Sequence, residues 1–312
     1  MSATARAPLV RAGPGVSAWT ALPERDRALL LWLVQGDVVT AELAALLSYG
    51  HRRIAQRRLA RLVEYGLLSG FWAANRQRPR GRYAYALTKP ARIQIERLVW
   101  PSGRSSSEAI ETVSPVIHQL ATHDLLAAFL RAADSAQEVG VCAWVPERAL
   151  IRLTSFGYLR PDALAVIRVA DGVILLFIER DLGTERGGIV ADKLGKYRSR
   201  YGKRYDGATV HVGIVVESQR RAAAVRRMLR EREESSGPVR AWVTTEPEIS
   251  ADPHGATWVS PEIDPIRTVD LAPLPIDLGW PVLTPGCLAT SDALEALDER
   301  VITAIPVLAR HY

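Results

Sequence analysis

The spacing of apolar positions changes along this chain, and the change divides it. From Pro23 they recur every three to four residues in "PERDRALLLWLVQG", with proline where a first helical turn tolerates one and Gly36 as a stop. "TAELAALLSYG" repeats the pattern, with Thr40 as N-cap and Leu43, Leu46 and Leu47 on one face. A third helix is predicted over "HRRIAQRRLARLVEYG", with Ile54, Leu59, Leu62 and Val63 as its apolar repeat. "LLSGFW" and "GRYAYALT" then read as strands joined by "AANRQRPR", and "KPARIQIERLV" as a fourth helix. This order predicts a winged helix-turn-helix over residues 23–100, with Ser48-Tyr49-Gly50 as the turn between its second and third helices.

Past a "PSGRSSS" linker, residues 101–135 continue into a helix containing "IHQLATHDLLAAFLRAA". Strand and helix patterns then alternate over residues 136–250. "VCAWVPERAL", "LRPDALAVIRV", "VILLFIERD", "TVHVGIVVES" and "PVRAWVTTE" read as strands; "GIVADKLGKYRSRYG" and "SQRRAAAVRRMLRERE" read as helices. A mixed α/β sheet domain follows from that alternation. Residues 1–22 are expected to be a mobile arm. From roughly Pro247 on prolines and acids recur, and only "TSDALEALDERVITAI" looks helical; residues 251–312 are expected to be an acidic, proline-rich extension.

Charge sharpens this division. The 312 residues carry a net charge of +6, but between Gly50 and Arg104 thirteen basic residues face only two acids, Glu64 and Glu96. Beyond Ala241 the balance reverses, with eleven acids against three arginines. A basic helix and hairpin point to duplex DNA. On the third helix Arg52, Arg53, Gln56, Arg57 and Arg61 offer guanidinium and amide groups suited to base edges and phosphates. Arg76, Arg78, Arg80 and Arg82 of the hairpin would follow the backbone or enter a minor groove. The two cysteines, Cys142 and Cys287, lack metal-ligand spacing, which fits a reduced compartment. No apolar run approaches the ~20 residues of a membrane span. The expectation is a cytoplasmic protein with no membrane partner.

Candidate chemistry lies near the middle of the chain. In "VILLFIERD" the side chains alternate, so Glu179 and Asp181 share a face at the end of an apolar strand. If the preceding strand pairs as a hairpin around Ala170-Asp171-Gly172, Asp162 returns beside Glu179 or Asp181, and counting about the turn sets it opposite Asp181. Gathered carboxylates repel unless a proton or cation neutralises them, and hard oxygen ligands select Mg2+ or Mn2+. Lys193 flanks the apolar stripe of the following helix, from which a long side chain could return toward the carboxylates. It equally fits a plain surface lysine. His118 and His123 are five apart and off a common helical face, so a zinc pair is not expected, and His123 with Asp124 should cap or pack against the sheet. Tyr197, Tyr201 and Tyr205 read as packing residues.

The run "RPDALAVI…FIERDLGTE…DKLGKY" resembles the core of the replication-relaxation family of plasmids and mobile elements. "LATHDLLAAFL" is similar to a His-containing helix preceding the sheet in that family. The resemblance covers about residues 25–245. It implies a winged helix joined to a domain of the PD-(D/E)XK nuclease-like fold, with a role in plasmid replication or DNA relaxation. On that reading Asp162, Glu179 and Asp181 would bind the metal, and Glu179 and Lys193 would be catalytic in a Mg2+-dependent endonuclease or nickase. The alternative is a winged-helix initiator or transcriptional regulator whose nuclease-like domain is an inactive scaffold. Double-stranded DNA is the expected partner, beside a homodimer mate or other mobile-element proteins.

Overall fold

A computed structural model describes residues 19, 21–74, 81–99, 116–133, 140–152, 159–183, 187–201, 209–231, 239–260 and 265–273. The N-terminal unit comprises α1 (Glu24–Gly36), β1 (Val38–Val39), α2 (Ala41–Ala44), α3 (Arg52–Glu64), β2 (Leu68–Ala73), β3 (Arg82–Leu87) and α4 (Lys89–Val99). Thr40 caps α2 as expected, its hydroxyl accepting the Leu43 amide at 3.2 Å. The second helix then loosens into a π-helical turn, Ala45–Tyr49. Gly50, at φ 72°, reverses the chain into α3, where L-residues other than glycine are strained. His51 Nδ1 accepts the Arg53 amide at 3.1 Å and starts α3.

Two expectations on α3 change. Ala55, Leu59 and Leu62 are its buried residues, whereas Ile54 and Val63 are exposed. The two-residue strand β1 was also not expected; it pairs with β3 and makes the hairpin a three-stranded sheet. Of the expected arm, Trp19 and Leu22 are packed against the core.

The second unit begins with α5 (Val116–Ala132), followed by β4 (Gly140–Pro146), α6 (Glu147–Arg152), β5 (Ala163–Val169), β6 (Gly172–Asp181), α7 (Gly187–Tyr201), β7 (Val210–Val216), α8 (Gln219–Glu231), β8 (Val239–Thr245) and α9 (Glu246–Ala251). Short strands β9 (Ala256–Trp258) and β10 (Ile266–Arg267) pair with each other. The five long strands form one sheet in the order β4-β5-β6-β7-β8. β4, β5 and β6 are antiparallel; β6, β7 and β8 are parallel, joined by helical crossovers. The protein is thus of the α/β class with a mixed sheet.

Three sequence expectations are corrected. "VCAWVPERAL" is a strand only to Pro146, after which Glu147–Arg152 turns helical. Glu246–Ala251 is a helix, set by a capping box between Thr245 and Glu248 that the proline-rich reading of this stretch passed over. The β5–β6 hairpin turns tightly through Val169↔Gly172, so Ala163 pairs with Ile178. That register sets Asp162 opposite Glu179 rather than Asp181, and the Asp162 amide donates to Ile178 O at 3.0 Å. The expected helix "TSDALEALDERVITAI" and Cys287 lie outside the described residues; Cys142 is a buried thiol that donates to Val166 O at 3.3 Å.

Both sheet faces are covered, which is why β4, β5 and β7 read as apolar runs. Leu175 and Phe177 face Val190, Leu194 and Tyr197 of α7 and Val225 and Leu229 of α8. Ile174, Leu176 and Ile178 face the opposite layer, where Leu125, Leu126 and Phe129 of α5 share one core with Leu29, Leu30 and Leu33 of α1. The two units therefore pack through a continuous apolar core, each fully buried Leu or Phe contributing about 1.5–3 kcal/mol. Polar ties reinforce the junction. Asp37, at the strained φ of 59°, accepts Arg92 of α4 at 2.8 Å, receives Arg148 of α6 and lies 3.4 Å from the Gln119 amide nitrogen of α5.

Candidate functional site

The carboxylates assemble where β6 leaves the apolar interior. Glu179 is 5% exposed, Asp162 7% and Asp181 2%. Buried acids cost stability unless each oxygen finds a partner, and the partners are specific. Lys193 Nζ donates to Glu179 Oε2 at 2.9 Å, and Tyr197 Oη donates to Glu179 Oε1 at 2.8 Å. Both come from α7, one helical turn apart, so the alternation of β6 and the i, i+4 spacing of α7 meet at one carboxylate. Lys193 therefore does reach back from the flank of its apolar stripe. Tyr197 is both packing and polar: its ring lies 5.3 Å from that of Phe177.

Asp162 Oδ2 accepts the Arg180 amide at 2.6 Å. His118 Nε2 of α5 sits 2.9 Å from the same oxygen, angled off an ideal hydrogen bond. Asp181 is held apart from these groups: Arg221 of α8 donates to its Oδ2 at 2.7 Å, and the Gly183 amide donates to Oδ1 at 2.8 Å. Arg180, between the two acids in sequence, points to the other side, where it donates to Val215 O at 2.9 Å and to Glu246 of α9.

Proton affinities follow from this packing. Burial, then the neighbouring Asp162 charge, raise the Glu179 carboxyl from 4.5 to about 7, against the lowering effect of Lys193 and Tyr197. Burial lowers the His118 imidazole, but the contact and charge of Asp162 outweigh it and leave the ring more basic than usual. His123 behaves oppositely: buried, its ring 5.1 Å from that of Trp32, it is pushed down to about 4. It is a packing residue, as expected.

The structure thus brings together Asp162, Glu179 and Lys193, and sets Asp181 in its own ion pair. His118, Tyr197 and Arg221 join them, none of which had been expected in the site. For His118 a signal was present, in a basic residue one turn before the buried run of α5. Arg221 gave none, because it lies forty residues beyond Asp181 and reaches it only through the β7–α8 crossover. Among the described residues no group of three or more His, Cys, Asp or Glu is placed to hold a metal ion.

Arg52, Arg53, Gln56, Arg57 and Arg61 all lie on the exposed side of α3. Arg57 and Arg61 line an open cleft of about 530 Å³ with Ile54, Arg58 and Glu64. Arg58 turns inward instead, its Nε donating to Asp26 Oδ1 at 3.1 Å, and Tyr49 Oη donates to the same oxygen at 2.9 Å. Arg82 pairs with Asp124 of α5. Arg76, Arg78 and Arg80 lie outside the described residues.

A helical unit with an arginine-faced third helix, packed on a mixed sheet whose central strand ends in Glu179-x-Asp181 beside Asp162, defines a two-unit α/β protein with a carboxylate–lysine cluster at the sheet end. The profile of the replication-relaxation family matches residues 30–216, from within α1 to the end of β7. The chain belongs to that family, which supports a role in replication or relaxation. No curated relative and no solved structure matches the chain. Among the described residues no helix is long and apolar enough to cross a membrane.

Proposed function

We propose that this protein binds duplex DNA through α3 and the β2–β3 hairpin, used as a winged helix-turn-helix, and that it serves plasmid or mobile-element replication as a non-cleaving initiator or regulator. One observation carries the DNA reading. The exposed side of α3 gathers Arg52, Arg53, Arg57 and Arg61 with Gln56, and no ion pair to an acid among the described residues holds the four arginines. The remaining α3 arginine, Arg58, turns inward to Asp26. Guanidinium groups left in water on a docked helix suit guanine edges and phosphates.

The family resemblance implies a PD-(D/E)XK nuclease-like sheet unit, and the donor set bears on how far that likeness extends. A divalent ion would need carboxylate oxygens open to it. Here Glu179 accepts from Lys193 and Tyr197, Asp181 from Arg221 and the Gly183 amide, and Asp162 from the Arg180 backbone amide with the His118 ring beside it. Lys193 and Arg221 already occupy Glu179 and Asp181, and among the described residues no three carboxylate or imidazole groups converge, so the residues as arranged do not fit a directly bound Mg2+ or Mn2+. The scaffold reading is the one this geometry favours. A second reading, nicking by a rearranged site, draws on the 2.9 Å Lys193–Glu179 contact beside Asp162.

Reversing charge with Arg52→Glu and Arg57→Glu should remove duplex binding in an anisotropy titration, whereas wild-type affinity should fall steeply with salt. Unchanged, salt-sensitive binding by the variant would exclude α3 as the reader. On supercoiled plasmid with Mg2+, the wild type and the Glu179→Ala, Asp181→Ala variant should be equally inert. Nicking by the wild type alone would replace the scaffold reading with the catalytic one.

A further inference from the structure

The β2–β3 hairpin carries aromatic surface that the fold does not bury. Trp72 is 68% exposed and Tyr83, directly opposite it across the strands, 44%. Paired strand residues share a face, so Trp72 and Tyr83 continue the face on which Leu68, Tyr85 and Leu87 enter the same core as Leu59 and Leu62 of α3. The aromatic pair thus lies beyond the end of that core, toward the hairpin tip and on the α3 side.

The pair is also braced. The rings of Trp72 and Tyr83 meet at 5.5 Å and 74°, edge toward face, and Tyr83 meets buried Tyr85 at 5.2 Å and 84°. Gly70 makes room for this: a Cβ there would lie 2.5 Å from Tyr83 Oη. Edge-to-face contact holds the indole while leaving flat π surface open to solvent. Exposed indole beside exposed phenol is unfavourable in water, and such surface on a soluble unit marks a contact site.

We propose that Trp72 and Tyr83 form a stacking platform for unpaired DNA bases, so that the protein holds duplex through α3 and the basic residues of the hairpin, and the adjoining single strand on this aromatic pair, which takes no part in duplex binding. This inference rests on the duplex-binding reading of α3. The choice of occupant comes from charge. Between Glu64 and Glu96 the sequence contains no acid, so nothing on the hairpin repels phosphate, and the aromatic face continues the one that packs on α3, the helix that carries the exposed arginines. A polyanion with flat π faces fits both features at once. Base–aromatic stacking beside basic groups is how single strands are held without dependence on sequence.

Three labelled DNAs separate the alternatives by fluorescence anisotropy: a duplex, the same duplex with an oligo-dT arm, and the arm alone. The wild type should prefer the armed duplex to the plain one. Trp72→Ala and Tyr83→Ala should each weaken armed-duplex and arm binding about tenfold, leave plain-duplex binding within about twofold, and preserve the far-ultraviolet circular dichroism. Trp72→Phe should retain most of the arm contribution. Equal losses on plain and armed duplex, or none on either, would overturn the platform. So would a wild-type dimer that Trp72→Ala converts to monomer with DNA binding unchanged, since that would give the patch to a second copy. Loss of arm binding in Trp72→Ala with no duplex binding by the wild type would keep the platform and remove the α3 reading instead.

Discussion

Replacing Lys193 by methionine should destabilise the protein only where Glu179 is ionised. Methionine keeps most of the aliphatic stem and removes the cation 2.9 Å from Glu179 Oε2. In the wild type the carboxyl titrates at about 7 when folded and 4.5 when free. Between those values the folded state holds the extra proton, so stability falls as pH rises from 4.5 to 7 and is level above. The total fall is on the order of 3 kcal/mol. Without Lys193 the main charge lowering this pKa is gone, and the decline continues past 7. The two proteins should then differ by almost nothing at pH 6, and the gap should widen by on the order of 1 kcal/mol for each pH unit above 7 until the variant's carboxyl has ionised. The ceiling is the ~3–5 kcal/mol of a broken buried ion pair. Thermal unfolding followed by circular dichroism reads this as a widening gap in Tm, about 2–4 °C per kcal/mol. In a Glu179→Gln background the Lys193→Met gap should stay constant with pH. A gap between wild type and variant that is the same at pH 6 and pH 9 would refute the reasoning, because Lys193 would then act through packing alone.

Asp26 offers a second test. It is fully buried and accepts both Tyr49 and Arg58, and burial followed by the Asp26 charge pushes the Tyr49 phenol above its usual range. Asp26→Ala should cost about 3–5 kcal/mol in urea unfolding, since it strands a buried partner, and should weaken duplex binding by loosening α3. A third concerns His211, whose Nδ1 accepts the Trp242 indole N–H at 2.9 Å while Nε2 lies 2.9 Å from Ala272 O. This fixes the neutral Nε2–H tautomer, and burial lowers its pKa to about 4. Imidazole nitrogen spectra should show that tautomer persisting at pH 5, where His118 is already protonated; a protonated His211 ring at pH 5 would contradict the assignment.

Much of this architecture was legible in the sequence because local rules and burial agreed. Thr40, Gly50 and the four-residue repeat of α3 mark its helices, and the apolar runs mark β5, β6 and β7. The departures occur where tertiary contacts override local pattern. Ile54 and Val63 fit an apolar repeat, but α3 turns Ala55 inward, and a small residue leaves no strong signal. Glu246–Ala251 looked like loop because proline is common in loops, although proline in a first turn is equally a helix signal. At the carboxylates, strand alternation correctly put Glu179 and Asp181 on one face. The register of Asp162 was off by two because turn length cannot be read from Ala170-Asp171-Gly172 alone. What remained illegible was compensation: Arg221, His118 and Tyr197 approach from three segments that only the folded sheet brings together.

The apolar core shared by α1 and α5 bears on how such a protein can diversify. Leu29, Leu30 and Leu33 bury against the same residues that cover the sheet, so the N-terminal unit is not a cassette that recombination can exchange intact. Excising it would bare a strip of leucines on both fragments and invite aggregation. Change is more accessible at the exposed positions of α3, where Arg53 or Gln56 can vary without a cavity opening beneath. Inheritance of the two units as one block, with variation confined to that outer face, is the pattern this packing permits.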